Sequence, residues 1–230
     1  MLAGCSGSSS KTPSTPSASL TASSSSPAAS ASAAPASLAQ LNKIVLQPAD
    51  LPAAWKGTPY QADPSNAADQ AAMVKCLGAR NTDPDKVAEA NSQDFALGDA
   101  TISSSATSYR SQSDLDVDTA IARSPKFSAC FEQLLSKQLV TSLPAGTKIA
   151  SESVKFTPGS AGGPANVIAT GEGTINVTAN GQQTPLYLMI AFIIGPLIEA
   201  KVDAGNIGAP LPASLVNSLI TTVATRAARG

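Results

Sequence analysis

No histidine occurs anywhere in the 230 residues, so Ser-His-Asp and Cys-His triads are excluded, together with His-ligated zinc. The groups that remain for chemistry are carboxylates, hydroxyls and three cysteines, Cys5, Cys76 and Cys130. Asp114-Leu115-Asp116-Val117-Asp118 opens like a calcium loop, in which alternating carboxylates converge on a hard cation. Thr119 stands where that loop needs Gly, and Pro125 where it needs a bidentate Glu. Solvated carboxylates near a helix start, favoured by the helix dipole, are the better account. Gly171-Glu172-Gly173 lies inside a strand pattern with no helix after it, which fits a bulge or a close backbone approach rather than a phosphate loop. The other acids, Glu132, Glu152, Glu172, Glu199 and Asp203, are scattered, and no pair can be placed at glycosidase spacing. No catalytic residue is assigned, and no metal or other cofactor is implied.

Leu2-Ala3-Gly4-Cys5 resembles a bacterial lipobox, a motif whose Cys thiol is alkylated by a diacylglyceryl group before cleavage ahead of it. The small residues at 3 and 4 suit a narrow peptidase groove. Residues 1–4 are then the remnant of a lipoprotein signal peptide, whose basic start and apolar run are expected upstream. The alternative for Cys5 is an unmodified thiol in a cytosolic tail. From Ser6 to Gln40 the chain is nearly all Ser, Ala, Thr and Pro, a composition that buries too little to offset its ordering entropy. Residues 5–40 are expected to be a lipid-anchored, disordered tether spanning on the order of 30 Å as a coil. Its Ser/Thr/Pro bias also permits O-glycosylation.

Residues 41–230 are long enough for one domain with its own core. A net charge of −1 with no basic stripe argues against nucleic acid as a partner. Leu186 to Ile198, the longest apolar run, falls short of a membrane span and contains Gly195-Pro196, so membrane attachment is expected to rest on the lipid at Cys5. In an exported domain the pair Cys76 and Cys130 is most simply a disulfide, two buried free thiols being the alternative.

These residues need elements to position them. Lys43 to Leu46 reads as a short extended lead-in, followed by Asp50-Leu51-Pro52 and Trp55. Ser65 or Asn66 caps a helix through Met73 and Leu77 that stops near Gly78. Phe95 to Tyr109 reads as a strand or hairpin broken near Gly98. Asp114 to Ala122 forms a short helix, and Ser124 caps another with Phe127, Cys130, Phe131, Leu134 and Leu135 on one face, ended by Pro144-Ala145-Gly146. The period then changes to two over Ile149–Phe156, Asn166–Val177, Leu186–Ile194 and Leu197–Val202. Asn180-Gly181 and Gly195-Pro196 supply turns for an antiparallel meander. Pro212 to Arg229 is a final amphipathic helix carrying Leu215, Leu219 and Val223. The fold class is α+β: a two-layer antiparallel sheet with helices packed on one face.

Asp50-Leu51-Pro52 with Trp55, the helix with Cys76, the Ser-rich strand ending in Tyr109, Pro125-x-Phe127-x-x-Cys130, the strands meeting at Gly195-Pro196 and Leu211-Pro212 before the last helix form a recognisable order. It resembles actinobacterial surface lipoproteins with PknH-type sensor or LpqN-type (Mog1p/PsbP-like) extracellular domains. The resemblance implies a non-catalytic domain at the extracytoplasmic face of the cell membrane; PknH-type domains usually carry more than one disulfide, and this chain can form at most one. Three function classes follow. The first is a sensor-like module that binds an envelope lipid, glycan or protein and acts as a monomer. It implies a pocket between sheet and helices lined by Leu186, Leu188, Ile190, Leu215 and Leu219. The second is a carrier of lipid or another apolar molecule, and the third a histidine-independent carboxylate hydrolase. The few aromatic side chains, Trp55, Tyr60, Tyr109 and Tyr187, are the candidate ligand contacts.

Overall fold

The computed structural model describes residues 34–64, 66–142, 147–159 and 163–230. Cys5, most of the tether, Ser65 as a helix cap and the Pro144-Ala145-Gly146 stop lie outside the described residues.

Order begins earlier than residue 41. Ser37 and Gln40 form a capping box, Ser37 N–H donating to Gln40 Oε1 at 2.8 Å and Gln40 N–H to Ser37 Oγ at 3.4 Å. That box starts helix α1, Leu38–Ile44, which buries Leu41 and Ile44; Ala36 is buried as well. Residues 34–40 therefore belong to the domain rather than to the tether, and Lys43-Ile44 end a helix instead of opening an extended lead-in, which begins at Val45. By composition alone, a Ser-x-x-Gln cap in a Ser/Ala-rich run is indistinguishable from the tether before it.

The class is α+β, built on an eight-stranded antiparallel sheet. Its strands are β1 Lys56–Thr58, β2 Lys86–Asn91, β3 Asp94–Leu97, β4 Ala100–Tyr109, β5 Lys148–Pro158, β6 Val167–Ala179, β7 Gln182–Gly195 and β8 Ile198–Ile207. Their order is β1-β3-β4-β8-β7-β6-β5, with β2 pairing beside β3 along the same edge of β4. The expected meander is present as β5 to β8. Asn180 and Gly181 both take positive φ, 52° and 76°, the geometry of the tight turn that suits the twist of a hairpin. The hairpin expected over Phe95–Tyr109 is β3 and β4, joined at Gly98 with φ 60°.

The remaining helices are α2 Asn66–Leu77, α3 Gln112–Ala122, α4 Phe127–Ser142 and α5 Ala213–Ala227. The helix layer expected on one face is divided between two. On β7, Ala191 and Ile193 join α1 and α5 in the main core with Val216, Leu219, Ile220 and Val223. The alternate residue Phe192 faces the other way, its ring at 5.6 Å and near-perpendicular to Phe127 of α4. The physical reason is legible in β7 itself, because a strand buried on both faces carries a continuous apolar run rather than an alternating one. Phe127 also stands edge-on to Phe156 at 4.6 Å.

Helix α4 also closes the sheet's outer edge. Val154 N–H donates to Glu132 Oε1 at 2.7 Å and Phe156 N–H to Ser128 Oγ at 3.1 Å, which satisfies backbone donors that an edge strand otherwise offers to other chains. Glu132 is thus structural, as is Glu152, which accepts from Ser136 Oγ.

Gly171 leaves room for a ring. A Cβ there would lie 2.3 Å from Phe156, so Gly171-Glu172-Gly173 is a close approach inside β6. Across the sheet, α5 docks against Gly195, where a Cβ would meet the Ala227 carbonyl oxygen at 2.0 Å. Its end is fixed by Arg226, whose guanidinium donates to both oxygens of Asp50 at 2.7 Å and to the Val45 carbonyl at 3.1 Å. Burial works to raise the Asp50 carboxyl, but the Arg226 and Gln47 hydrogen bonds and the Arg226 charge outweigh it and hold it below the usual carboxylate range.

Candidate functional site

Two concavities lie on opposite faces of the sheet. The larger, about 1000 Å³, is an open groove between α5 and the face of β6 to β8 turned towards it. Tyr187, Met189, Val216 and Ile220 give it an apolar floor and wall, and Thr174, Asn206 and Asn217 place polar groups along it. Strand register decides which residues take part. Tyr187 pairs with Thr174 and Met189 with Glu172, so the odd-numbered residues of β7 face α5 here. Of the expected lining, Leu188 touches the groove, whereas Leu219 is sealed in the core at 1% exposure, and Leu186, Ile190 and Leu215 do not line it. Leu186, Leu188 and Ile190 turn their side chains to the opposite face, one residue out of phase with the side of β7 that meets the last helix.

The smaller concavity, about 630 Å³, is a polar cleft on the opposite face, over β8 and β4, with α2 and the start of β2 as walls. Period two on β8 aims Glu199, Lys201 and Asp203 into it, while Ile198, Ala200, Val202 and Ala204 point into the core. At its buried end, the Tyr109 hydroxyl donates to Asp118 Oδ2, and the Thr82 hydroxyl donates to Asp118 Oδ1 at 2.6 Å. Lys201 Nζ lies 3.3 Å from Asp203, and Lys86 Nζ lies 2.6 Å from Asp83.

The electrostatics follow from crowding. Burial, reinforced by the like charge of Asp118, pushes the Glu199 carboxyl up to about 7, although Lys201 and Lys86 pull the other way. Burial also pushes the Tyr109 phenol far above its ordinary value, with the carboxylates of Glu199 and Asp118 adding to the effect. Tyr109 consequently remains a hydrogen-bond donor. Asp203 holds the Lys201 ammonium above its usual value, against the opposing effect of burial.

The four aromatic candidates separate. Trp55 is 8% exposed and part of the main core, so it is not a surface contact; Leu41, Leu51 and Phe95 belong to the same cluster, which draws the indole inward. Tyr187 lines the groove, whereas Tyr60 and Tyr109 line the cleft. Cys76 and Cys130 form a disulfide with Cα atoms 5.9 Å apart, joining α2 to α4. Cys5 lies outside the described residues. The D-x-D-x-D carboxylates diverge along α3: Asp114 pairs with Arg80 at 2.7 Å, Asp116 accepts from Gln112, and Asp118 turns to Tyr109.

The residues missed in the sequence are Glu199, Lys201 and Asp203 as one row, and Asp118 and Lys86 as its neighbours. Spacing of two on a strand carries the first signal, but nothing local brings residues 86 and 118 to it. Among the described residues no helix is long and apolar enough to cross a membrane. No protein-family model matches the chain, and no curated protein matches it.

Proposed function

We propose that this is a non-catalytic, sensor-like binding domain, held by a diacylglyceryl group on Cys5 at the extracytoplasmic face of the cell membrane and related to the PknH-type and LpqN-type lipoproteins. The observation that carries the binding role is the groove beside α5, whose volume of about 1000 Å³ reaches the upper range of small-molecule sites. An apolar floor with polar groups along the rim suits an envelope molecule with an apolar body and a polar end. The groove opens along the sheet surface, so the ligand lies in it rather than being enclosed, which favours recognition over carriage.

The carboxylates gathered in the polar cleft favour a second reading, a carboxylate hydrolase. Two free carboxyls in acid and base roles are what such chemistry needs. Here Asp118 is engaged by Tyr109 and Thr82, Asp203 by Lys201 and Asp83 by Lys86, while Glu89 accepts from Asn91 and stands two strands away from Glu199 across Thr107, which leaves Glu199 without a free carboxyl beside it. Binding is therefore the better reading.

The test is native extraction of the full chain from membranes, followed by mass spectrometry of the N-terminal peptide and of co-purifying small molecules. A diacylglyceryl-modified Cys5 is expected, with release of the protein from membranes in Cys5→Ser. An amphipathic envelope molecule is expected with the native protein and absent with Thr174→Trp, which fills the groove beside Tyr187. An unmodified Cys5 overturns the anchor, and a co-purifying ligand indifferent to Thr174→Trp overturns the groove.

A further inference from the structure

The polar cleft has a lining of regular alternation. Along β8, Glu199, Lys201 and Asp203 project into it in sequence, acid, base, acid, at intervals of roughly 7 Å set by the strand rise. Register places Thr107, Ser105 and Ser103 of β4 directly beside them, so a row of hydroxyls runs parallel to the row of charges. Lys201 and Lys86 each already have a carboxylate partner. Glu199 makes no hydrogen bond or ion pair among the described residues, although it lies within the cleft. At the rim stands Tyr60, 37% exposed, its hydroxyl accepting from Asn66 Nδ2 at 3.4 Å.

A point ion satisfies little of this lining. Among the described residues no three acids are gathered to hold a metal, and Asp83, Glu89 and Asp118 are engaged by Lys86, Asn91 and Tyr109, so the lining offers an extended ion no run of free charge of one sign. A polyol suits it: each hydroxyl both donates and accepts, so it donates to carboxylates and accepts from ammonium and hydroxyl groups in turn. An exposed ring at the rim presents an apolar face to the C–H side of a sugar.

We propose that the cleft over β8 and β4 is a glycan-binding site, in which a short neutral oligosaccharide lies along the Glu199, Lys201 and Asp203 row with one ring against Tyr60. The site is on the sheet face away from the groove and does not rest on the reading of that groove.

The labelled full-length chain is applied to an array of neutral di- to tetrasaccharides, and the strongest binder is titrated by calorimetry beside spermidine and citrate. Saturable binding of a subset of sugars is expected. Titrated above pH 8, where Glu199 is ionised, loss of a charge-assisted hydrogen bond predicts weakening by roughly tenfold or more in Glu199→Gln and in Lys201→Met, with melting and disulfide content preserved and Thr174→Trp without effect. Tyr60→Ala, outside the core, is expected to weaken binding severalfold and serves as the test if either cleft variant loses its fold. Absence of any sugar binder, a binder indifferent to Glu199, Lys201 and Tyr60, or preference for spermidine or citrate overturns the proposal.

Discussion

Breaking the Cys76–Cys130 bridge separates two consequences that are easily confused, global destabilisation and local release of α2. The bridge closes a segment with a sequence separation of 54. On the chain-entropy relation that loop removes about 14 cal/mol/K from the unfolded ensemble, hence about 4 kcal/mol at 25 °C. Cys76 is exposed and Cys130 is 5% exposed, so Cys76→Ser with Cys130→Ala removes the bridge at little packing cost. Helix α2 has no buried side chain, and it carries Asn66 and Gln70 into the wall of the polar cleft. The double variant is therefore expected to lose about 4 kcal/mol in guanidinium unfolding. In hydrogen exchange its α2 amides should approach unprotected rates, while those of β7 and β8 slow exchange by only the new global limit. An unfolding free energy within about 1 kcal/mol of the native protein would refute the loop-entropy account. Native-like protection of α2 would refute the idea that the bridge, rather than packing, holds that helix.

Arg226→Met keeps the aliphatic stem but leaves Asp50, whose side chain is 12% exposed, with the Gln47 N–H as its remaining donor. A loss of about 2 kcal/mol at neutral pH is expected. Because the folded pKa of Asp50 is lowered, its contribution is present above the unfolded value, roughly 4, and disappears as pH falls through the folded one. Thermal melts between pH 2 and 6 should show a shallower acid limb in Arg226→Met; an unchanged limb places the acid sensitivity elsewhere. Gly171→Ala drives a methyl into the Phe156 ring and is expected to cost roughly 1–3 kcal/mol by urea unfolding. Much of that cost should be recovered when Phe156→Leu is added, and strict additivity of the two changes would show that they do not meet.

Where the sequence carried periodicity, it was enough to read the elements. The apolar stripe of α5, the Asn180-Gly181 turn and the alternation through β5 to β8 all correspond to observed structure. The elements missed have separate causes. In β2 the core side is Ala88 and Ala90, and Ala is poor in β-propensity, so Lys86–Asn91 shows no strand signal. In α1 a Ser/Ala-rich run hid a capping box. Trp55 reads as a surface contact because Pro and Gly flank it; only its burial in the core cluster that also holds Phe95 and Leu41, distant in sequence, shows otherwise. The cleft was illegible for another reason. Lys86, Tyr109, Asp118 and Glu199 are brought together by pairing of β2 and β8 with β4 and by the docking of α3, and no local pattern encodes that.

β8 explains how charges come to stand on the middle of a sheet. Its even-numbered residues Ile198, Ala200, Val202 and Ala204 are buried against α5 and α1, whereas its odd-numbered residues face the cleft. The helices of the cleft face pack chiefly over β5, over Ile168 and Ala169 of β6 and at the end of β4, so the cleft face of β8 keeps contact with water, with Lys201 and Asp203 about one-third exposed. Lys201 and Asp203 are tolerated there at small cost, Glu199 answers its burial by holding its proton more tightly, and in the core none of the three would be tolerated as a charge. A slip of one residue in the pairing of β8 would carry Glu199, Lys201 and Asp203 under α5 and turn four apolar side chains out. The charged row therefore disfavours every odd-numbered slip of the central strand. The same three residues that form the wall of the cleft thus fix the register on which the core and the groove beside α5 both depend.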